Sequence, residues 1–341
     1  MRIAIIAIAI LFALAAIVVL LGPPQNHGSR PEPVLPRSAC MSACSLVIEP
    51  DDGIGPFLSL VDNASRSVEL VMYELEDAAV EQALARAVAR RIAVRVILSA
   101  GYRGQPSAAN EPAFEWLEGH GVPVRWSSDN FALTHEKSLL VDGRTLFVMS
   151  FNLVPRFYPT GRDFGIEDRD ARDAAAAAAA FDADWSAGGA RDAATPGDSL
   201  VWSPGSRDAL TALIGSATRS LLVYNEEMAD PGIVGSLAAA AERGVTVRIV
   251  MTWSPEWKSA FETLTAAGAG VRIVAAHDVP YIHAKMILAD GARAFVGSEN
   301  FSATSLDENR ELGIVVANPG ITQPLAATFE ADWVAAKPFK P

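Results

Sequence analysis

The sequence predicts an α/β protein made of two copies of one layered unit, preceded by an apolar segment long enough to cross a membrane. Three observations lead there. Seven reactive or charged residues, His135, Lys137, Asp142, Ser150, Asn152, Arg162 and Asp163, return as His283, Lys285, Asp290, Ser298, Asn300, Arg310 and Glu311. The interval is constant (135 to 283, 163 to 311), and only Asp163 to Glu311 changes type. Short apolar, β-branched runs alternate with stretches of helical spacing in both copies, as in a largely buried sheet with helices on its faces. Residues 3–21 are apolar without interruption.

Residues 3–21 as a helix would span about 28 Å, near the thickness of a bilayer core. The run is longer than a typical secretory h-region and meets Gly22-Pro23-Pro24 rather than a small-residue cleavage site. A signal anchor over residues 1–22 is expected, with secretion after cleavage as the alternative. Arg2 favours an N-terminus inside and a body outside the cytoplasm. Residues 23–45 are proline-rich and polar at first, a tether that carries Cys40 and Cys44. An exported location permits a disulfide between them; two unpaired thiols are the equal alternative.

The first unit is expected over residues 46–187. Strands are expected at 67–73, 92–99 and 122–126, and helices at 77–90 and 113–119. The alanine run 174–180 belongs in a packing helix. Residues 188–199, with Gly188-Gly189 and Pro196-Gly197, form the linker. The second unit, 200–337, repeats the order with strands at 219–225, 245–252 and 271–275 and helices at 231–243 and 256–267. The duplication extends to Phe181-Asp182-Ala183-Asp184-Trp185 against Phe329-Glu330-Ala331-Asp332-Trp333, and to Gly165 against Gly313. Units of this length are domains, not the small stacking repeats of a solenoid.

The chain has 341 residues, half of them hydrophobic, enough for two core-bearing units. Its net charge of −12 counts against wrapping nucleic acid with a broad basic surface, though not against a small basic pocket. Residues 133–141 and 282–289 are expected as strands, so His135 and Lys137 share a face, as do His283 and Lys285. Asp142-Gly143 and Asp290-Gly291 are turn signals, after which a second strand ends at Ser150 and Asn152, or at Ser298 and Asn300.

Two lysines on an acidic protein suit a small anion, a phosphodiester above all, with Ser and Asn donating to its oxygens. A neutral imidazole attacks phosphorus, and a protonated one gives its proton to a departing alkoxide. Asp163 and Glu311 are suited to accept the other ring N–H and fix the tautomer. A metal site is the rival, but a lysine beside each histidine repels a divalent cation by about 4 kcal/mol per charge pair at intermediate dielectric. No metal and no cofactor is expected.

These residues resemble the signature of the phospholipase D superfamily, His-x-Lys-x4-Asp-x6-Gly-Ser-x-Asn. The second copy, His283 to Asn300 with Gly297-Ser298, fits throughout; in the first, Met149 replaces the glycine. Asn309-Arg310-Glu311-Leu312-Gly313 resembles the downstream element, with Gly161-Arg162-Asp163-Phe164-Gly165 as its counterpart. The resemblance covers residues 46–337. It implies two α/β/α sandwiches related by a pseudo-two-fold, one shared site, and a covalent phosphohistidine. It also implies His135 as nucleophile, His283 as acid and base, phosphate bound by Lys137, Lys285, Asn152 and Asn300, and a structural role for Asp142 and Asp290.

A phospholipid substrate at a membrane is expected from the anchor and the acidic balance. A nuclease on DNA or RNA is the alternative, and a non-catalytic scaffold the remote one, opposed by intact His and Lys in both copies. One chain holds both motifs, so no obligatory oligomer is implied. Weaker candidates are Glu74 and Glu226 at the ends of matching strands, His277 and Asp278 before the second motif, and Tyr281 and Trp253 as substrate contacts. His27 and His120 look incidental.

Overall fold

The computed structural model describes residues 44–105, 107–186 and 197–341. The apolar segment, the tether to residue 43, the pairing of Cys40 and most of the linker lie outside the described residues. Among those described, no helix is long and apolar enough to cross a membrane.

The first sheet is built from β1 (Ser45–Glu49), β2 (Ser67–Met72), β3 (Ala93–Leu98), β4 (Val124–Trp126), β5 (Ser138–Val141), β6 (Thr145–Met149) and β7 (Gly161–Asp168). Their spatial order is β1-β7-β6-β5-β2-β3-β4, with β2, β3 and β4 parallel and the rest antiparallel. The second sheet repeats it with β8 (Leu200–Ser203), β9 (Ser220–Tyr224), β10 (Thr246–Thr252), β11 (Gly270–Val274), β13 (Lys285–Ala289), β14 (Arg293–Gly297) and β15 (Glu311–Val316). β16 (Lys337–Pro338) extends its edge beside β11. β12 (Tyr281–Ile282) leaves its own half and pairs with β7 of the other.

The first half carries helices α1 (Gly55–Asp62), α2 (Ala78–Ala89), α3 (Glu111–Gly119) and α4 (Ala171–Trp185). The second carries α5 (Ser206–Ser216), α6 (Pro231–Glu242), α7 (Lys258–Ala266), α8 (Ala303–Asp307) and α9 (Pro319–Ala335). Local rules set their ends. The Asp77 carboxylate accepts from the Ala79 amide to open α2, and the Asp230 carboxylate accepts from Ile233 to open α6, where Pro231 needs no partner. In α2, Val80, Ala83, Leu84 and Ala87 recur at helical spacing and are all buried.

Among the described residues three large apolar clusters hold the molecule, with a fourth small one of Val71, Ile97 and Phe181. One lies under the helices of the first half and contains Val68, Leu84, Leu139 and Phe147. Another does the same in the second half with Leu221, Leu237, Ile287 and Phe295. The third joins the halves: Leu146, Val148 and Phe164 meet Tyr224, Met286, Val296 and Ile314, with alanines of α4 and Phe329 of α9 packed in. The small side chains of the 174–180 run let α4 sit close. The repeated Gly165 and Gly313 have a packing cause, because a Cβ at Gly165 would lie 2.5 Å from the Phe147 ring and one at Gly313 2.1 Å from Phe295.

The expectation of continuous strands at 133–141 and 282–289 is corrected. β5 begins only at Ser138, and β12 and β13 are separated by His283 and Ala284. The backbone peels off its own sheet to reach the other half: His135 and Glu136 amides both donate to the Arg310 carbonyl, and those of His283 and Ala284 to the Arg162 carbonyl. The break is the device that carries each histidine across.

Candidate active site

The crossing of backbone produces a crossing of side chains. His135 Nδ1 lies 2.9 Å from Glu311 Oε2, and His283 Nδ1 lies 2.9 Å from Asp163 Oδ1. Each imidazole is therefore oriented by a carboxylate of the opposite half, which leaves Nε2 as the ring nitrogen for chemistry. The two repeated arginines cross the same way. Arg162 donates to Asp332 on α9 through Nε at 2.8 Å, and Arg310 Nε donates to Asp184 on α4 at 2.8 Å. These buried bridges explain the repeated Phe-x-Ala-Asp-Trp segments. Their value lies in fixing how the halves register more than in net stability, since desolvation offsets most of a buried pair.

The carboxylates are themselves held. Asp163 Oδ1 also accepts from Ser150 Oγ at 2.6 Å; Glu311 Oε1 accepts from Ser305 Oγ at 2.5 Å and Asn309 Nδ2 at 3.0 Å. Burial works against charge on Glu311, but His135, Lys137 and Ser305 outweigh it and hold its carboxyl below the usual range. Burial, reinforced by Lys137 and only partly opposed by Glu311, pushes His135 down to about 4, so its imidazole is neutral at pH 7.

Lys137 and Lys285 are fully buried. Each ammonium donates to the carbonyl of the histidine two residues before it, at 2.7 and 2.6 Å. Burial, then the repulsion of Lys285, pushes Lys137 down to about 7. A cavity of about 1090 Å³ lies beside them, lined by His135, His283, Asn152, Asn300, Asp163, Glu226 and Tyr281, with Glu74, His277 and Asp278 at its wall; the two lysines lie behind this lining and do not form part of it. The amide oxygens of Asn152 and Asn300 are buried without a partner.

Two expected substrate contacts do not reach the cavity. Ser150 and Ser298 are fully buried; Ser150 bonds Asp163 and the Phe164 backbone, and Ser298 bonds the Leu312 backbone. They position the acid-bearing strands instead. Asp142 and Asp290 sit in left-handed turns, φ 57° and 55°, away from the cavity. Asp142 accepts from the amides of Ser65, Arg66 and Ser67; Asp290 accepts from those of Thr218, Arg219 and Ser220. Trp253 packs against Phe261 and Phe339 in the core, and His120 stacks on Trp116.

Glu74 and Glu226 both line the cavity from the ends of the equivalent strands β2 and β9, as expected, but they are not register mates. Val71 pairs with Ser138 as Tyr224 pairs with Met286, so Val71 and Tyr224 are equivalent. Glu226 then matches Tyr73, and Glu227 matches Glu74. This offset differs from the motif interval and agrees with the resemblance of residues 64–67 to 217–220 in the sequence. Sequence reasoning also missed Glu49, which is buried and lines the cavity with neither carboxyl oxygen hydrogen-bonded. Burial, then Asp163, raises it to about 7. Its place opposite Asp163 on β1 was the available signal.

A family model described as the cardiolipin synthase, phospholipase D-like domain matches residues 57–185 and again 210–333. The chain belongs to this family. Phospholipase D Y of Dictyostelium discoideum is 34% identical over 110 residues, 30% of this chain and 25% of that protein. Cardiolipin synthase A of Pseudomonas aeruginosa is 29% identical over 117 residues, 33% of this chain and 24% of that one. The matched stretch thus spans about a quarter of these relatives. The fold is shared with phosphatidylserine synthase of Haemophilus influenzae, TM-score 0.65 at 14% identity over 87% of both chains. Polyphosphate kinase of Porphyromonas gingivalis shares it too, TM-score 0.66 at 14% identity over 91% of this chain and 51% of that one.

Proposed function

We propose that the protein is a metal-independent phosphodiesterase of phospholipase D type that hydrolyses or transfers phosphatidyl groups of phospholipids. The crossed His–carboxylate pairs at one cavity carry the proposal, because they supply two imidazoles held in one tautomer with Nε2 left for the substrate. His135, neutral, attacks phosphorus through Nε2, and the bond from phosphorus to the leaving alcohol breaks as His283 Nε2 delivers its proton to that oxygen. Water or an acceptor alcohol then yields its proton to His283 while its oxygen displaces His135 from phosphorus. Lys137, Lys285 and the amide nitrogens of Asn152 and Asn300 meet the phosphate oxygens.

A phospholipid substrate is supported by the family's cardiolipin synthase description and the relatives' names, and by carboxylates around the cavity that would repel a polyphosphate strand. The apolar residues 3–21 support a body anchored on the outer face of a membrane. Purified body is to be assayed on phosphatidylcholine, phosphatidylglycerol, cardiolipin and single-stranded DNA, with and without EDTA. Lipid turnover that survives EDTA is expected. Preference for DNA would replace the substrate, and loss of activity restored by zinc would remove the metal-free mechanism.

A further inference from the structure

Glu226 lines the cavity at a position where the duplication changes both charge and chemistry. Its counterpart Tyr73 sets its ring edge-on to His135, centroids 4.7 Å apart, with Lys137 Nζ 5.0 Å from the ring centre. Glu226 instead places Oε2 3.0 Å from Lys285 Nζ and 3.4 Å from His283 Nε2, and Oε1 accepts from the Tyr281 hydroxyl at 3.1 Å. One cation of the phosphate site is thus already opposed by a carboxylate that faces the acid/base nitrogen. Burial resists its ionisation, but Lys285 and His283 prevail and hold it well below the usual carboxylate range. With Asp163 and Glu311 beside the two lysines, the floor carries no surplus of positive charge.

We infer that Glu226 is a charge-selecting residue of the phosphate site, favouring singly charged phosphodiesters over doubly charged phosphomonoesters. Coulomb energy scales with the product of charges, so a fixed carboxylate penalises a dianion twice as heavily as a monoanion at the same place. On the phosphodiesterase proposal, on which its role in turnover rests, the diester substrate is admitted and the monoester left by hydrolysis is driven out. A tyrosine at this position, as in the first half, would not discriminate in this way.

The test compares anions of matched shape. Wild type and Glu226→Gln are titrated with dimethyl phosphate and methyl phosphate at pH 8, where the latter is a dianion, by ³¹P NMR. Glu226→Ala serves as a second neutral variant should the first fail to fold. Methyl phosphate is expected to bind the neutral variant about tenfold more tightly and dimethyl phosphate about threefold, narrowing the preference about threefold. Equal shifts for both anions, or none, overturn the inference. Turnover of bis(p-nitrophenyl) phosphate by wild type is measured in parallel. Its absence would remove the phosphodiesterase proposal alone, because the anion titration needs no catalysis.

Discussion

The two halves share a backbone plan but give their histidines opposite surroundings. His135 has an aromatic ring at its side and an ionised Glu311 on Nδ1, and burial keeps it neutral. His283 has Asp163 on Nδ1 and Glu226 at Nε2, two carboxylates about one ring. Glu49 faces Asp163 where the second half has Ser203 facing Glu311. Duplication therefore supplied symmetry in the frame, and a few unmatched side chains next to each imidazole give the two rings different neighbours.

The sharpest way to break this comparison is to remove each ring and vary the leaving group. His135→Ala should lose about 10⁴-fold or more in kcat on every diester, because no other group attacks phosphorus. His283→Ala should lose about 10³-fold on an alkyl diester yet much less when p-nitrophenolate departs, since that anion needs little protonation. The reverse pattern would exchange the two roles. Glu311→Gln should copy the first variant's leaving-group behaviour and Asp163→Asn the second's, each acting on the histidine of the opposite half. The pH profile follows the same asymmetry. Activity should rise through about 4 as His135 loses its proton and becomes a nucleophile, and phosphate affinity should weaken above about 7 as Lys137 loses its charge. A KM that stays flat from pH 6 to 9 would contradict the lysine's part.

A second asymmetry lies deeper. Phe151, packed against Phe147, is matched at the same motif position by Glu299, fully buried with both oxygens unpartnered. Burial, then Glu311, raises its carboxyl well above the usual range. A raised folded value means the unfolded chain releases the proton first, so this residue costs stability increasingly as pH rises above the unfolded value near 4. Glu299→Met should stabilise the protein by about 1–3 kcal/mol at pH 8, with a smaller gain at pH 5. Thermal melts at both pH values check it. A destabilised variant would show that the carboxyl has a role in the site.

The site was legible in the sequence where chemistry demands fixed residue types at fixed spacing: the motif histidines, lysines and asparagines, and the partners Asp163 and Glu311. Which carboxylate serves which histidine was not, because the crossing depends on short backbone segments leaving their own sheet, and periodicity sees only the local strand. Ser150 and Ser298 were misplaced for the same reason, since their hydroxyls turn toward strands β7 and β15 rather than the cavity. Glu49, Tyr73 and Glu299 escaped because their identities differ between copies, and a search for repetition passes over such positions. The alternation of strands and helices was legible because burial imposes it; the sharing of one apolar core by both sheets was not, since inward and outward faces of a fully buried strand are equally apolar.

The turn aspartates are the control in which the halves should not differ. Asp142 and Asp290 accept the same three successive backbone amides and a hydroxyl, from Ser65 or Thr218, and both lie in left-handed turns. Burial opposes their charge, but those donors together outweigh it and hold both down at about 2. A lowered folded value means the contribution is present above the unfolded value near 4 and fades as pH falls toward 2. Both turns lie near solvent, so each alanine variant should cost only about 1–2 kcal/mol, nearly equal in the two halves. Asparagine, which tolerates a positive φ and keeps an acceptor oxygen, should recover part of that loss. Denaturant titrations measure it. Strongly unequal losses would mean the asymmetry between the halves reaches beyond the cavity floor into the turns that carry the motifs.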